Sequence, residues 1–277
     1  MMPKKTRAVV GYILAGMAML VLFLYLRFPE KIVKDFIESA ASARCPGIRL
    51  SLGTTRPAIP PGLRLEPVEA VFPAHPGETL RADRLTVRPA WPPLFRGRFA
   101  FLTEAESYGG RIRGRIDFGN ILTVKGPFTA TADFGDIRLE KCAWLRETLA
   151  RQAAGTLKGS VSFNHAGESL RSGTGNLIFT LTNVNWPLTE PLFGFSRLDF
   201  SRVEATIGFR NGSLKITELF LDGNRLKIAL KGDVILSDNL PESRIDLNGT
   251  LEMPGQGNRR VKVAIGGTLR SPQARFM

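Results

Sequence analysis

Residues 210–236 read RNGSLKITELFLDGNRLKIALKGDVIL. Three apolar runs alternate residue by residue with Arg, Lys and Thr, and turn formers close each run: Asn211-Gly212, then Asp222-Gly223-Asn224. A side-chain period of two, broken by such turn residues, predicts consecutive antiparallel hairpins. The stretch holds no His or Cys, and its acids are Glu218, Asp222 and Asp233. It predicts a sheet that carries very little chemistry.

The same pattern extends in both directions. Toward the N-terminus, GIRLSLG, GLRLEPVEAVF, TLRADRLTV, RFAFLTEAES and GGRIRGRIDFG follow one another from Gly47, each bounded by Gly, Pro or polar residues. In the last of these, Ile112, Ile116 and Phe118 share one parity, and Arg111, Arg113, Arg115 and Asp117 the other, as in a half-buried strand with a basic outer face. Dense prolines between Arg56 and Pro93 predict edge strands or loops there. The spacing of Leu139, Trp144, Leu145 and Leu149 predicts a helix over 139–155, with Gly155 as its stop. Strands are expected again at 156–164, 174–184, 197–210, 213–221, 225–236, 243–252 and 260–269. Gly-Thr-Leu or Gly-Ser-Leu recurs at 155–157, 212–214, 249–251 and 267–269, which fits a duplicated sheet module and ordinary hairpin composition equally well.

The chain has 277 residues, 43% hydrophobic and 23% charged, a globular balance for one β-rich domain. Its departure is charge: 38 Lys and Arg against 25 Asp and Glu, a formal net of +13. Residues 8–26, AVVGYILAGMAMLVLFLYL, contain no charge. As a helix they would reach about 28 Å, close to the roughly 30 Å core of a bilayer, so a membrane anchor is expected, with Val9, Ile13, Leu14, Leu20, Leu22 and Leu24 facing lipid. A cleaved signal peptide fits less well, because Arg27, Phe28, Pro29 and Glu30 follow where small residues should stand. Lys4, Lys5 and Arg7 before the run are balanced by Arg27, Lys31, Lys34 and Arg44 after it, so charge does not fix the orientation. After the anchor, residues 29–43 place Ile32, Val33, Phe36 and Ile37 at helical spacing, a short helix that lies on a membrane or caps the domain below it. The division expected is thus 1–27 as tip and anchor, 28–46 as juxtamembrane helix and linker, and 47–277 as the β-rich domain.

Candidate chemistry is sparse. His75, between prolines, and His165, in FNHAGE, read as solvated loop residues. No His or Cys spacing suits zinc, no nucleophile elbow or phosphate loop occurs, and GGRIRG at 109–114 lies in a strand pattern. Asp133 and Asp136 read as solvated turn carboxylates. No catalytic residue, metal or cofactor is expected. The basic residues are spread over strand faces without aromatic platforms, which argues against nucleic acid and for anionic headgroups or an acidic protein. Cys45 and Cys142 form no disulfide framework.

Residues 211–253 resemble the closing module of the AsmA-like superfamily: an Asn-Gly hairpin, then Gly232-Asp233-Val234-Ile235-Leu236, then Ile245-Asp246-Leu247. The ending IGGTLRSPQARF (265–276) is similar to the Gly-Thr-Leu-x-x-Pro terminator of such proteins, and GTLKGSVSFN (155–164) also fits. Size, single anchor and element order together look most like the type II secretion system protein N (general secretion pathway protein N) family. The resemblance implies a mainly β fold, a long antiparallel curved sheet or meander with one or two short helices behind a transmembrane helix. It also implies a single-pass inner-membrane protein whose C-terminal domain is periplasmic and serves type II secretion through membrane phospholipids or other secretion-system proteins. The alternative it implies is a lipid-binding or lipid-transfer groove. Ile216, Leu226, Ile228, Leu230 and Ile245 are the candidate residues of the groove or core face. Alternation has the same period whether that face is packed shut or open as a trough.

Overall fold

The computed structural model describes residues 12–276 apart from 14, 17–18, 20–21, 24, 45–46, 59–60, 74–78, 95–96, 119–125, 143–152, 166–172, 193–194, 238–241 and 255–258. A helix α1 (Glu30–Arg44) leads into fifteen strands: β1 (Arg49–Ala58), β2 (Gly62–Val71), β3 (Thr79–Ala82), β4 (Arg84–Pro89), β5 (Phe99–Ser107), β6 (Gly110–Phe118), β7 (Phe128–Arg138), β8 (Ala154–His165), β9 (Thr174–Leu192), β10 (Phe195–Arg210), β11 (Ser213–Asp222), β12 (Lys227–Ile235), β13 (Arg244–Met253), β14 (Arg259–Thr268) and β15 (Pro272–Phe276). All belong to one antiparallel sheet, and apart from β3, which pairs with β2 alone, they lie in chain order from β1 at one edge to β15 at the other. At about 4.8 Å per strand, the fourteen strands of that path extend roughly 60 Å along the sheet.

Local sequence explains the connections. Tyr108-Gly109 and Asn211-Gly212 have φ of 52°, 76°, 48° and 74°, so both central residues of each tight hairpin are left-handed, as a primed turn requires. The register follows: Ser107 faces Gly110 and Arg210 faces Ser213. Single left-handed residues at Asp136 (φ 56°) and Asn183 (φ 53°) mark register shifts between β7 and β8 and within β9.

The two edges of the sheet are treated differently. α1 lies against β1, and its carboxylates take the backbone donors there: Leu52 N–H donates to Glu38 Oε1 at 2.7 Å and Thr55 N–H to Glu30 Oε1 at 2.7 Å. Ile37 packs on the buried cluster of Leu52, Leu65 and Val68. The capping role expected as one option for this helix is therefore realised, and an aggregation-prone edge is closed. Removing one acceptor strands an amide beside a side chain that is 1% exposed, so Glu38→Ala should lower stability by about 1–3 kcal/mol in thermal unfolding.

The strand expectations from 156 onward are met within about three residues at most ends, except that β9 runs on to Leu192. Three others need correction. First, the helix expected over 139–155 is a 3₁₀ turn at Leu139–Lys141, with Cys142 extended and strand β8 already under way at Ala154; residues 143–152 lie outside the described set. Gly155 is a strand residue with φ of 148°. Second, Pro67 lies in β2, an interior strand, where the ladder skips it opposite Gly53. A Cβ on Gly53 would strike Glu66 O and Pro67 Cδ, so the glycine makes room for the proline. Third, Pro272–Phe276, read only as a terminator, forms the edge strand β15. At the N-terminus, the described residues from 12 to 26 are helical, with Ile13 and Leu22 exposed. Among the described residues no helix is long and apolar enough to cross a membrane. Val9, Leu14, Leu20 and Leu24 lie outside them.

Candidate functional site: an apolar trough

Paired residues of an antiparallel sheet project from the same face, so the register defines each face strand by strand. One face carries Phe101, Ile112, Ile116, Phe134, Leu157, Val161, Leu177, Phe179, Ala205 and Ile207 across β5 to β10, and Leu219, Leu230, Leu247 and Val263 beyond. The opposite face carries Arg111, Arg113, Asp133, Lys158, Ser160, Asn176 and Thr180. Among the described residues there is no second sheet, and the helical segments pack chiefly on β1, β5 and β8.

An apolar face without a covering layer has two options: exposure or curling on itself. Both occur. From β5 to β9 most inner side chains are half-buried, and Val161 is 37% exposed. Toward β14 the same face is buried at Ala205 (2%), Leu230 (9%), Leu247 and Val263. Burial of that kind in a single layer makes the apolar face the inside of the curl. The site is thus an apolar sheet face, more exposed in its middle strands and more buried toward the C-terminus.

Ile216, Ile228, Leu230 and Ile245 share the inner face through the pairs Ile228–Leu221, Leu230–Leu219, Ile216–Gly232 and Val234–Ile245. Leu226, at the mouth of β12, is buried with Val184, Phe200, Val203 and Leu251. Lys231 and Ala229 are exposed on the other face. Ile228 is only half-buried, whereas Leu230 is 9% exposed, so Leu230 tests this register. Leu230→Ala should cost about 2 kcal/mol, at the low end for core truncation because the trough gives the site room to relax, and Lys231→Ala should stay within about 0.5.

A feature that sequence reading missed runs along the trough floor. Phe99, Phe101, Phe118, Phe128, Phe163 and Phe209, from β5, β6, β7, β8 and β10, form a chain of ring contacts with centroid separations of 5.7–6.3 Å. Glycine makes this possible. Gly175 of β9 lies between Phe163 and Phe209, and a Cβ there would come within 3.2 Å of the Phe163 ring. A Cβ on Gly159 would come within 2.7 Å of Phe134 Cζ. The rings lie over glycine and keep the floor low. The signal was a Phe at the loop-side end of successive strands, visible only once strand ends are aligned.

His165 closes this row, its ring 4.9 Å from that of Phe128. It is 8% exposed, which corrects the reading of it as a solvated loop residue. The sequence signal was its parity with Phe163, which carries it inward. His75 lies outside the described residues. Cys142 is a free thiol, pushed up from its ordinary value by burial, and Cys45 lies outside the described residues. Tyr108 is also pushed up by burial, its hydroxyl accepting the Arg81 N–H at 2.9 Å.

The outer face is polar and internally paired. Arg84 bridges Glu66 and Glu106, Arg113 reaches Glu104 at 3.4 Å, and Arg115 grips Asp117 through two contacts of 2.7 Å. The Arg115 hydrogen bonds hold the Asp117 carboxyl below its usual range. Its stabilising contribution is therefore present above the ordinary carboxylate range and lost as pH falls through the lowered value. Asp133 and Asp136 are exposed, and Asp136 pairs with Lys158 at 3.0 Å. Among the described residues no group of three or more His, Cys, Asp or Glu is placed to hold a metal ion. No protein-family model, curated protein or solved structure matches the chain.

Proposed function

We propose that this protein is a membrane-tethered trough that holds phospholipid acyl chains along the inner face of its sheet. The carrying observation is the half-open apolar face from β5 to β9, whose lining is almost wholly hydrocarbon and aromatic while its outer counterpart is charged. A large exposed apolar surface needs a partner. Acyl chains suit one that is long and carries few hydrogen-bonding groups, Thr103 and His165 among them. Taking a chain through water costs about 0.8 kcal/mol per methylene, whereas passing it from bilayer core to trough exchanges one apolar surrounding for another. Transfer of this kind needs no catalytic group, which agrees with the poverty of titratable clusters.

In this reading residues 8–26 form the anchor, in an inner membrane, and the sheet domain lies in the periplasm. That setting rests on the uncharged run and on the resemblance of 211–253 and 265–276. The same resemblance favours a second reading, an accessory of type II secretion that acts through protein contacts, with the apolar face serving as its own core. Native mass spectrometry of the full chain, released from cells in mild detergent, separates the two. Co-purified phospholipid is expected for the trough, and a lipid-free chain for the scaffold.

A further inference from the structure

α1 has two faces, and the sheet uses only one. Glu30, Ile37 and Glu38 turn toward β1, where the two carboxylates hold the edge amides. On the opposite side Ile32 and Phe36, one helical turn apart, are each 71% exposed. That exceeds every other large hydrophobic residue described after Leu26, the next being Ile235 at 58%. Exposed apolar residues also occur upstream, before Arg27: Met19 is 74%, Phe23 57% and Leu26 76% exposed. Ser39 and Ala43, both exposed, extend the Ile32–Phe36 stripe with small side chains.

We propose that the outward face of α1 lies in the headgroup layer of an anionic phospholipid bilayer, with Ile32 and Phe36 inserted among the acyl chains. The inference rests on the anchor reading of 8–26. Two side chains offer far less than the roughly 800 Å² per partner of a stable protein interface, but interfacial helices need only a short apolar stripe with basic flanks. Arg27 and Lys31, both exposed, supply that flank, and the chain's surplus of 38 basic over 25 acidic residues favours an anionic surface. From Glu30 to Glu38 the helix rises about 12 Å while the strand from Thr55 back to Leu52 covers about 10 Å, so helix and edge strand run side by side in opposite directions. The face of α1 turned from β1 therefore looks away from the sheet along the trough axis. Seated on a bilayer, it stands the trough upright with β1 at the membrane and β15 farthest from it.

The test uses the full chain carrying C45A and C142A, reconstituted in phosphatidylcholine vesicles with phosphatidylglycerol. Nitroxides are placed one at a time at Ile32→Cys, Phe36→Cys, Met19→Cys and Lys215→Cys, and relaxation by oxygen is compared with relaxation by a water-soluble nickel complex. Positions 32 and 36 are expected to favour oxygen, on the lipid side of Lys215→Cys, and to move toward the water value when phosphatidylglycerol is omitted at high salt. If 32 and 36 match the outer-face position 215, or are shielded from both agents as by a protein partner, the inference is overturned whatever position 19 reads. Should Met19→Cys read as water while 32 and 36 read as lipid, the anchor reading fails and the seat of α1 stands.

Discussion

Gly249→Ala is expected to unfold much of the C-terminal sheet at temperatures the wild type survives. Gly249 lies in β13 opposite Leu230 and Val263, both buried. A Cβ built on it would run into the carbonyl oxygen of Ala229 and come within 2.8 Å of the Ala229 carbonyl carbon and 2.9 Å of Leu230 Cα. These are backbone atoms of the adjacent strand, so no rotamer change relieves the clash, and β12 must move away from β13. The penalty should be on the order of 4 kcal/mol, at the upper end for single substitutions. Gly266→Ala is the matched control. Gly266 is one strand away in β14, and the nearest atom to its added Cβ is Ile245 O at 3.9 Å, an ordinary contact. Its stability should remain within about 0.5 kcal/mol of wild type. Equal melting of the two variants by circular dichroism would mean that β12 does not approach Gly249 as closely as described.

Val161→Asp is expected to empty the trough without unfolding it. Val161 lies on the inner face between Ala132 and Leu177, yet is 37% exposed, so a carboxylate there remains hydrated in the absence of cargo. An acyl chain laid over it would have to strip that hydration, a cost of several kcal/mol that methylene contacts do not offset. The control is Ile178→Asp on β9, opposite Ser160 on the outer face and 46% exposed. Both variants should keep the wild-type sheet spectrum. Only Val161→Asp should lose co-purified phospholipid; loss from both, or from neither, would show that the inner face is not where lipid lies.

The fold was largely legible because its information is local. Asn211-Gly212 and Gly109 dictate turns, and alternation such as Arg111-Ile112-Arg113 dictates which parity faces inward. Such alternation is enough to give Ile216, Leu226, Ile228, Leu230 and Ile245 as candidates for one face, and the register puts Ile216, Ile228, Leu230 and Ile245 on it. Failures came where a residue's environment is set across strands. His165 sits in polar surroundings along the chain, but in space its ring meets Phe128 across the strands. Gly159 and Gly175 lie in expected strands with no special role read for them, yet they lie beneath phenylalanines of adjacent strands. The helix expected at 139–155 failed at its end because Ala154 and Thr156, on either side of Gly155, are claimed by pairing with β9, a tertiary demand that helical spacing does not register. Whether an apolar parity is a sealed core or an open trough depends on curvature, which has no signature in a period of two.

The most direct test is a photocrosslinking scan along β9 in living cells, with a photoreactive residue replacing Leu177, Ile178, Phe179 and Thr180 in turn and phospholipid adducts measured on the purified full chain. The trough account predicts a period of two: adducts at 177 and 179, which face inward, and essentially none at 178 and 180. Adducts at neither parity, or equally at both, would contradict it.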